Sequence, residues 1–160
     1  MNSTNIRFFL QTELLCGVGV YKDLPNLIKS ICNRPLFLID ENVAHIEPIG
    51  FLKSELAKQG LDSEEILLRG TEEPDYDYLD QISDQARNLS CDFILAIGGG
   101  STLDLAKAVA VLMTNTGTGL DYRGFDQVKK PGITLMAIPT TAGTGSEITI
   151  NAVFTNKQEN

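Results

Sequence analysis

Three glycines and a serine directly follow an apolar run. The run covers residues 93–97, and Gly98, Gly99, Gly100 and Ser101 come next. Glycine lets the backbone approach a ligand closely, and the N–H groups at the start of a helix attract anions. We therefore predict that this loop holds a diphosphate, with Ser101 capping the helix that follows. The alternative is a tight strand-to-helix turn that binds nothing.

Two common phosphate-binding motifs do not fit these glycines. A Walker loop requires a lysine directly after its last glycine, whereas the nearest lysine here is Lys107. The dinucleotide motif G-x-G-x-x-G is also absent, because Gly17 and Gly19 supply only its first half. Nucleoside triphosphate hydrolysis is therefore disfavoured, and the early glycine pair is interpreted as a plain turn.

Asp104 and Lys107 are the charged residues of an otherwise apolar helix predicted over residues 101–115. Because they lie three residues apart, they share a face near the start of the helix. There they either meet a ligand or bond each other. A third interpretation is a capping box, in which Ser101 and Asp104 close the helix end.

A second loop carries four hydroxyl side chains after the apolar run at residues 134–138. They are Thr140, Thr141, Thr144 and Ser146, with Gly143 and Gly145 among them. The loop offers many neutral hydrogen-bond donors and no cation, which suits a sugar-phosphate or a nicotinamide edge. A polar surface turn is the alternative.

Asp40 ends a third apolar run, residues 35–39. A carboxylate in this position can accept hydrogen bonds from both hydroxyls of an adenine ribose and repels a 2′-phosphate. It therefore favours NAD over NADP. Asp40 or Asn42 can also cap the helix that follows, and the two roles do not exclude each other.

Short apolar runs alternate with helical spacing along the chain. The predicted strands are residues 35–39, 66–68, 93–97 and 134–138, and the predicted helices are residues 43–59, 78–89 and 101–115. Pro48 is expected to break the first turn of the first helix. This alternation predicts an α/β fold, a Rossmann-like parallel sheet with helices on both faces. Ligands of such sheets gather at the carboxyl ends of the strands, where the three loops above lie.

Composition limits the class of protein. The 160 residues are 42% hydrophobic, enough for one core, and 13 basic against 21 acidic side chains give a net charge of −8. Such a surface disfavours nucleic acid as a partner, so an anionic ligand must be held by backbone N–H groups and helix ends. No run approaches the roughly 20 apolar residues of a membrane span. Three cysteines without paired spacing and no signal-like N-terminus predict a cytoplasmic protein.

The two loops together resemble those of the iron-type (group III) alcohol dehydrogenases. The matching residues are Gly98, Gly99, Gly100, Ser101, Asp104, Ala106 and Lys107, followed by residues 139–147. The resemblance extends from about Gly17 to Thr155. It implies the N-terminal Rossmann-like domain of that family, of the dehydroquinate synthase type.

The resemblance also implies a set of cofactor-binding residues. Gly98, Gly99, Gly100, Ser101 and Asp104 would lie at the diphosphate, Asp40 at the adenosine ribose, and Thr140, Thr141 and Thr144 across the cleft. Thr149 and Val153, on a strand expected over residues 149–155, would lie near the nicotinamide. The family commonly has Asn-Pro in the loop after the second strand, and this chain departs from it with Glu73-Pro74-Asp75.

The activity implied is reversible hydride transfer between a small alcohol or aldehyde and NAD, with Fe(II) or Zn(II) polarising the substrate oxygen. The metal ligands of this family, an aspartate and histidines in a helical C-terminal domain, have no counterpart before Asn160, and His45 is the single histidine. We therefore expect residues 1–160 to form an NAD(P)-binding domain cut before the metal-binding domain, without catalytic or metal-binding residues and inactive alone. Apolar surface exposed by the missing domain would favour a homo-oligomer.

Two rival functions share parts of these features. A lyase of the dehydroquinate synthase type has the same fold and uses NAD, but its glycine loop differs and it lacks the motif Ala-Gly-Thr-Gly-Ser-Glu of residues 142–147. A non-catalytic module would use the same loops to sense a nucleotide or to assemble with a partner.

Overall fold

The computed structural model describes residues 12–70, 73–157 and 159. In chain order the elements are α1 (Leu24–Ile31), β1 (Pro35–Asp40), α2 (Glu47–Lys58), β2 (Glu64–Leu68), α3 (Tyr76–Leu89), β3 (Phe93–Gly98), α4 (Gly100–Leu112) and β4 (Thr134–Pro139). Short 3-10 helices cover Val20–Asp23, Glu41–Val43 and Gly119–Tyr122.

The four strands form one parallel sheet in the order β2-β1-β3-β4. From β1 the chain moves outward to β2, then crosses back to place β3 on the other side of β1. The direction of winding therefore reverses between β1 and β3, and a crevice opens at their carboxyl ends. Asp40 lies at one side of this crevice and Gly98 at the other. The predicted α/β fold with a parallel sheet is confirmed.

Side chains of the two central strands alternate between the two faces of the sheet. Leu36 and Leu38 of β1 pack with α3 and α4, whereas Phe37 and Ile39 pack with α1 and α2. All four are fully buried, and burial of each such side chain stabilises the fold by roughly 1.5–3 kcal/mol. Helices thus cover both faces, as the continuous apolar runs indicated.

Helix α4 is buried on nearly every side, as its sequence predicted. Ala106 and Val109 are fully buried between the sheet and α3. At its end, the backbone N–H of Ile133 donates to the carbonyl of Ala110 at 3.0 Å, and a β-carbon on Gly132 would lie 2.7 Å from that carbonyl. The return to β4 therefore runs directly against the carboxyl end of the helix.

Helix α2 begins later than its hydrophobic spacing indicated. The prediction placed its start at residue 43, whereas a 3-10 turn ends at Val43 and the helix begins at Glu47. Ile46 is extended, and Pro48 occupies the first turn, where a missing N–H costs nothing. Pro48 therefore starts the helix rather than breaking its first turn.

The prediction of a strand over residues 149–155 is wrong. Only Thr155 pairs, in an isolated parallel bridge with Asp75, and its N–H donates to the carbonyl of Pro74 at 3.0 Å. The carbonyls of Thr149 and Asn151 are bound by the ammonium of Lys107 instead of a neighbouring strand. A side chain thus takes the acceptors that a β-ladder would need.

Asp92 ties the amino ends of the two central strands together, at the end of the sheet opposite the crevice. Its carboxylate accepts hydrogen bonds from the backbone N–H groups of Arg34 at 2.8 Å and Asn33 at 3.0 Å. Burial alone would raise the pKa of Asp92, but the hydrogen bonds from Arg34 and Asn33 outweigh it and hold that pKa below its usual value.

The three cysteines are unpaired, with Cys16 exposed and both Cys32 and Cys91 buried. In the described ranges, no helix has the length and apolar character to cross a membrane.

Candidate functional site

The loops that leave β3 and β4 lie side by side at the carboxyl edge of the sheet. The N–H of Thr140 donates to the carbonyl of Gly98 at 2.9 Å, which continues the ladder of β3 and β4 past the last strand residues. Both loops therefore start from a fixed position. The structure brings together the two stretches that the sequence singled out.

The two loops touch where the glycines have no side chains. A β-carbon on Gly99 would lie 3.1 Å from Thr141 Oγ1, and one on Gly100 would lie 3.2 Å from Thr144 Cβ. A β-carbon at either position would require the facing threonine side chain to shift by a few tenths of an ångström. The result is a cradle formed by Gly99 and Gly100 on one side and by Thr141 and Thr144 on the other.

Helix α4 starts at this cradle. Gly99 is its N-cap residue, and no side chain in the described part of the chain caps it. The N–H groups of a first helical turn have no intrahelical partners, and the helix dipole adds partial positive charge there. The prediction that Ser101 caps the helix is wrong, because Ser101 lies inside the first turn and is exposed. The N–H groups of the first turn are therefore left without a side-chain cap.

Gly98 has a packing role beneath the cradle. A β-carbon there would lie 2.6 Å from the Cβ of Thr102, a buried residue of α4. The absence of a side chain at Gly98 therefore lets the first turn of the helix sit on the end of β3.

Asp40 lies at the other side of the crevice, at the end of β1, with 8% of its surface exposed. Its Oδ1 accepts hydrogen bonds from the backbone N–H of Asn42 at 2.9 Å and from Asn42 Nδ2 at 3.0 Å. Asp40 is thus the N-cap of the 3-10 helix Glu41–Val43. Both hydrogen bonds fall on Oδ1, so Oδ2 has no protein donor among the described residues.

Gly70, two residues after β2, is a neighbour of Asp40 that the sequence analysis missed. A β-carbon on Gly70 would overlap Asp40 Oδ1 and Asn42 Nδ2. A glycine shortly after a predicted strand was the available signal, but only the sheet order shows that β2 lies next to β1. Glu73, Pro74 and Asp75 follow, and Asp75 caps α3 by accepting from the N–H of Tyr78 at 2.7 Å.

The threonine loop is held open by glycine conformations. Gly143 and Gly145 have φ of 94° and 66°, a region that other residues avoid. Thr140, Thr141 and Thr144 are exposed at the carboxyl edge of the sheet. Their hydroxyls are therefore accessible to a ligand that lies across the glycine cradle.

Asp104, Lys107, Thr149 and Val153 lie together one turn along α4 from the cradle. The ammonium of Lys107 is 2.8 Å from Asp104 Oδ1, so the two residues bond each other, as one of the interpretations predicted. The capping box with Ser101 is not formed, since Asp104 binds Ser146 and the N–H of Val153 instead. Val153 is exposed and Thr149 hydrogen-bonds Lys107.

The described residues offer no metal centre. No group of three or more histidine, cysteine, aspartate or glutamate side chains in these ranges could hold an ion, and His45 is exposed on its own. The residues present therefore do not fit the iron or zinc that the resemblance implies, whereas the uncapped start of α4 has the backbone N–H donors that a diphosphate requires.

Comparisons with known proteins identify the family of this chain. The family of iron-containing alcohol dehydrogenases matches residues 11–160. Sulfoacetaldehyde reductase of Bilophila wadsworthia is 33% identical over 138 residues, which are 86% of this chain and 35% of the reductase. NAD-dependent methanol dehydrogenase of Bacillus methanolicus is 33% identical over 153 residues, which are 93% of this chain and 39% of that enzyme.

A solved structure shares the fold. The crystal structure of an iron-containing alcohol dehydrogenase superposes with a TM-score of 0.85 at 30% sequence identity, over 98% of this chain and 44% of the other. The chain therefore spans less than half the length of these relatives.

Proposed function

Since the chain belongs to the iron-containing alcohol dehydrogenase family, we propose that it binds NAD across the carboxyl ends of β1, β3 and β4. We propose further that it supplies the cofactor-binding part of an enzyme that transfers hydride between a small alcohol and the corresponding aldehyde. Two relatives support this reaction class, because one is a dehydrogenase of methanol that depends on NAD and the other a reductase of sulfoacetaldehyde.

The contact between the two loops at the start of α4 carries the proposal. Gly99 and Gly100 add no side chain at the start of α4, which has no side-chain cap, and Thr141 and Thr144 lie closer than van der Waals contact to where β-carbons would be. A diphosphate suits this position, because backbone N–H groups and the helix dipole can hold it without a cation. In a chain of net charge −8, that is the way to hold an anion locally.

Asp40 is proposed to bind the adenosine ribose. Its Oδ1 is fixed by Asn42, and its Oδ2 is left to accept from a ribose hydroxyl. A 2′-phosphate would meet the same carboxylate and be repelled. This arrangement supports NAD over NADP.

When bound, NAD carries the hydride at its nicotinamide ring. The residues of this chain would bind and orient it: the glycine cradle at the diphosphate, Asp40 at one ribose, and the hydroxyls of Thr140, Thr141 and Thr144 over its outer face. The iron or zinc that the family implies has no ligands among the described residues. We therefore derive no step through a metal.

Calorimetric titration of the purified chain with NAD and with NADP tests the proposal. We expect saturable NAD binding and weaker NADP binding. Gly99→Val should abolish NAD binding, because its side chain would enter the cradle beside Thr141. Asp40→Ala should reduce the preference for NAD by about tenfold, the loss of one or two hydrogen bonds to a charged acceptor.

Matched control variants separate the site from the fold. Asp62→Ala removes an exposed carboxylate ahead of β2, at the opposite end of the sheet. Gly17→Val adds a side chain where no atom of the described residues lies within 4 Å. Both should bind NAD like the parent chain. A folded parent chain that gives no saturable binding with either cofactor would overturn the proposal.

A further inference from the structure

The polypeptide after β4 continues for fourteen residues without a helix or strand. We call residues 140–153 the β4 segment. Its first part is held by the glycine cradle through Thr141 and Thr144. Its second part is held by Asp104 and Lys107, two charged side chains of α4 that expose only 15% and 17% of their surface.

Asp104 uses both of its carboxylate oxygens on the β4 segment. Oδ1 accepts from the hydroxyl of Ser146, which is buried, and Oδ2 accepts from the N–H of Val153 at 3.0 Å. The two donors are seven residues apart in the chain. One carboxylate therefore fixes both ends of the stretch between them.

Lys107 binds the middle of the same stretch. Its ammonium donates to the carbonyl of Thr149 at 3.3 Å, to the hydroxyl of Thr149 at 3.1 Å and to the carbonyl of Asn151. With Asp104 Oδ1 at 2.8 Å, it has more acceptors than its three protons can serve at full strength. Lys107 therefore has no proton left to donate to a cofactor.

The order of the strands indicates which part of a dinucleotide would meet this stretch. With the adenosine ribose at Asp40 on β1 and the diphosphate at the cradle on β3, the other nucleotide must extend toward β4. The β4 segment lies on that side. Its second part, residues 146–153, would therefore contact the nicotinamide half and not the adenylate half, whereas Thr141 and Thr144 of its first part belong to the cradle.

We propose that Asp104 and Lys107 are positioning residues that fix the β4 segment beside the nicotinamide half of the cofactor. This inference rests on the proposed function. The pair does not touch NAD; it acts through Ser146, Thr149 and Val153. It therefore sets the affinity for the whole dinucleotide while leaving the affinity for the adenylate half unchanged.

Lys107→Met tests this proposal, because methionine keeps most of the volume and removes the charge and the donors. Binding of NAD and of 5′-AMP is measured by calorimetry, together with amide hydrogen exchange over residues 146–153. We expect the affinity for NAD to fall by about tenfold or more, with AMP binding unchanged within about twofold. Exchange of residues 146–153 should accelerate, whereas exchange in β3 should not.

Two further variants complete the test. Ser146→Ala removes one contact of the β4 segment without altering a charge, so it should also lower the affinity for NAD. This variant keeps the test decisive if Lys107→Met fails to fold. Lys58→Met removes another lysine that pairs three residues away, with Glu55, on the exposed face of α2. It should change neither binding nor exchange.

The outcomes separate this inference from the proposed function. Suppose that the parent chain binds NAD and AMP, but that Lys107→Met and Ser146→Ala lower the affinities for both ligands equally or lower neither. The positioning role is then overturned, and the proposed cofactor site stands. Unchanged exchange in residues 146–153 overturns it as well. If the parent chain binds neither ligand, the proposed function fails first and the positioning role fails with it.

Discussion

The carboxylate of Asp40 packs against the α-carbon of Gly70, so closely that a β-carbon on Gly70 would overlap Asp40 Oδ1. Asp40 is the last residue of β1, and Gly70 follows the adjacent strand β2. The position of the carboxylate proposed to bind ribose therefore depends on a glycine outside every motif of the sequence.

Gly70→Ala should displace the Asp40 side chain from Asn42. We expect a loss of NAD affinity of about tenfold and a loss of stability of roughly 1–3 kcal/mol, measured by calorimetric titration and urea unfolding. Gly50→Ala is the matched control, because Gly50 lies in α2 with open space around its α-carbon. It should raise stability by about 0.5–1 kcal/mol and leave binding unchanged. Equal binding by both variants would contradict the role of Gly70.

Ser83 should be dispensable for stability. It is fully buried in α3, and its hydroxyl has no hydrogen-bond partner among the described residues. Because an unsatisfied buried hydroxyl is costly, Ser83→Ala should raise the free energy of unfolding by about 1 kcal/mol. The urea concentration at the midpoint of unfolding measures this change, provided that the free energy of unfolding depends on urea with the same slope in both chains. Ser30→Ala, which removes an exposed hydroxyl bonded to Leu27, should change the midpoint little; a lower midpoint for Ser83→Ala would contradict the prediction.

Asp92 should stabilise the fold in a pH-dependent way. Its pKa is lowered in the folded state from an ordinary value of 3.8, so its contribution is fully present above that value and is lost as the pH falls through the lower folded-state pKa. Asp92→Asn should cost about 0.5–1 kcal/mol at neutral pH, a small value because the carboxylate is exposed. It should also make stability fall less steeply on acidification.

Urea unfolding of Asp92→Asn between neutral pH and about pH 3 measures both effects. Asp62→Asn, at an exposed aspartate ahead of β2, serves as the control and should follow the parent chain. If the free energy of unfolding of Asp92→Asn and of the parent chain fell equally with decreasing pH, the proposed contribution of Asp92 would be contradicted.

The three thiols should differ sharply in reactivity. Burial raises the pKa of Cys32 to about 11 and also raises that of Cys91, whereas Cys16 is exposed. Because the thiolate is the reactive form, one thiol should react quickly with iodoacetamide near about pH 8, and Cys16→Ser should abolish that fast phase. All three should react in denaturant. Fast alkylation of Cys32 or Cys91 in the folded chain would show that the core opens.

The sequence predicted the sheet well because its central strands are buried on both faces. Such strands appear in the sequence as continuous apolar runs. The ends of β1 at Asp40 and of β3 at Gly98 were predicted to within one residue. Helix α1 was missed, although Pro25 near its start and the apolar spacing of Leu24, Leu27 and Ile28 are typical of a short amphipathic helix. A helix of two turns gives a weak periodic signal, and its stability depends on packing against β1.

The site was predicted in part for a related reason. Loops at strand ends carry glycines and hydroxyls that are visible in the sequence, so the cradle could be anticipated. Contacts between distant segments could not: Asp104 and Val153 are 49 residues apart, and the Asp40–Gly70 contact depends on the strand order. The strand expected over residues 149–155 failed because a single lysine takes its carbonyls, which no local pattern reveals.

The hydrogen bond between Arg34 and Asp92, which lie 58 residues apart, also bears on how the chain folds. In the sequence, α2, β2 and α3 separate the two central strands. Closing a loop of that length costs roughly 3–4 kcal/mol of chain entropy. The pairing of β1 with β3 is therefore expected to limit the folding rate. During synthesis, β1 would leave the ribosome before either of its neighbours, and the sheet would assemble only once β3 has emerged.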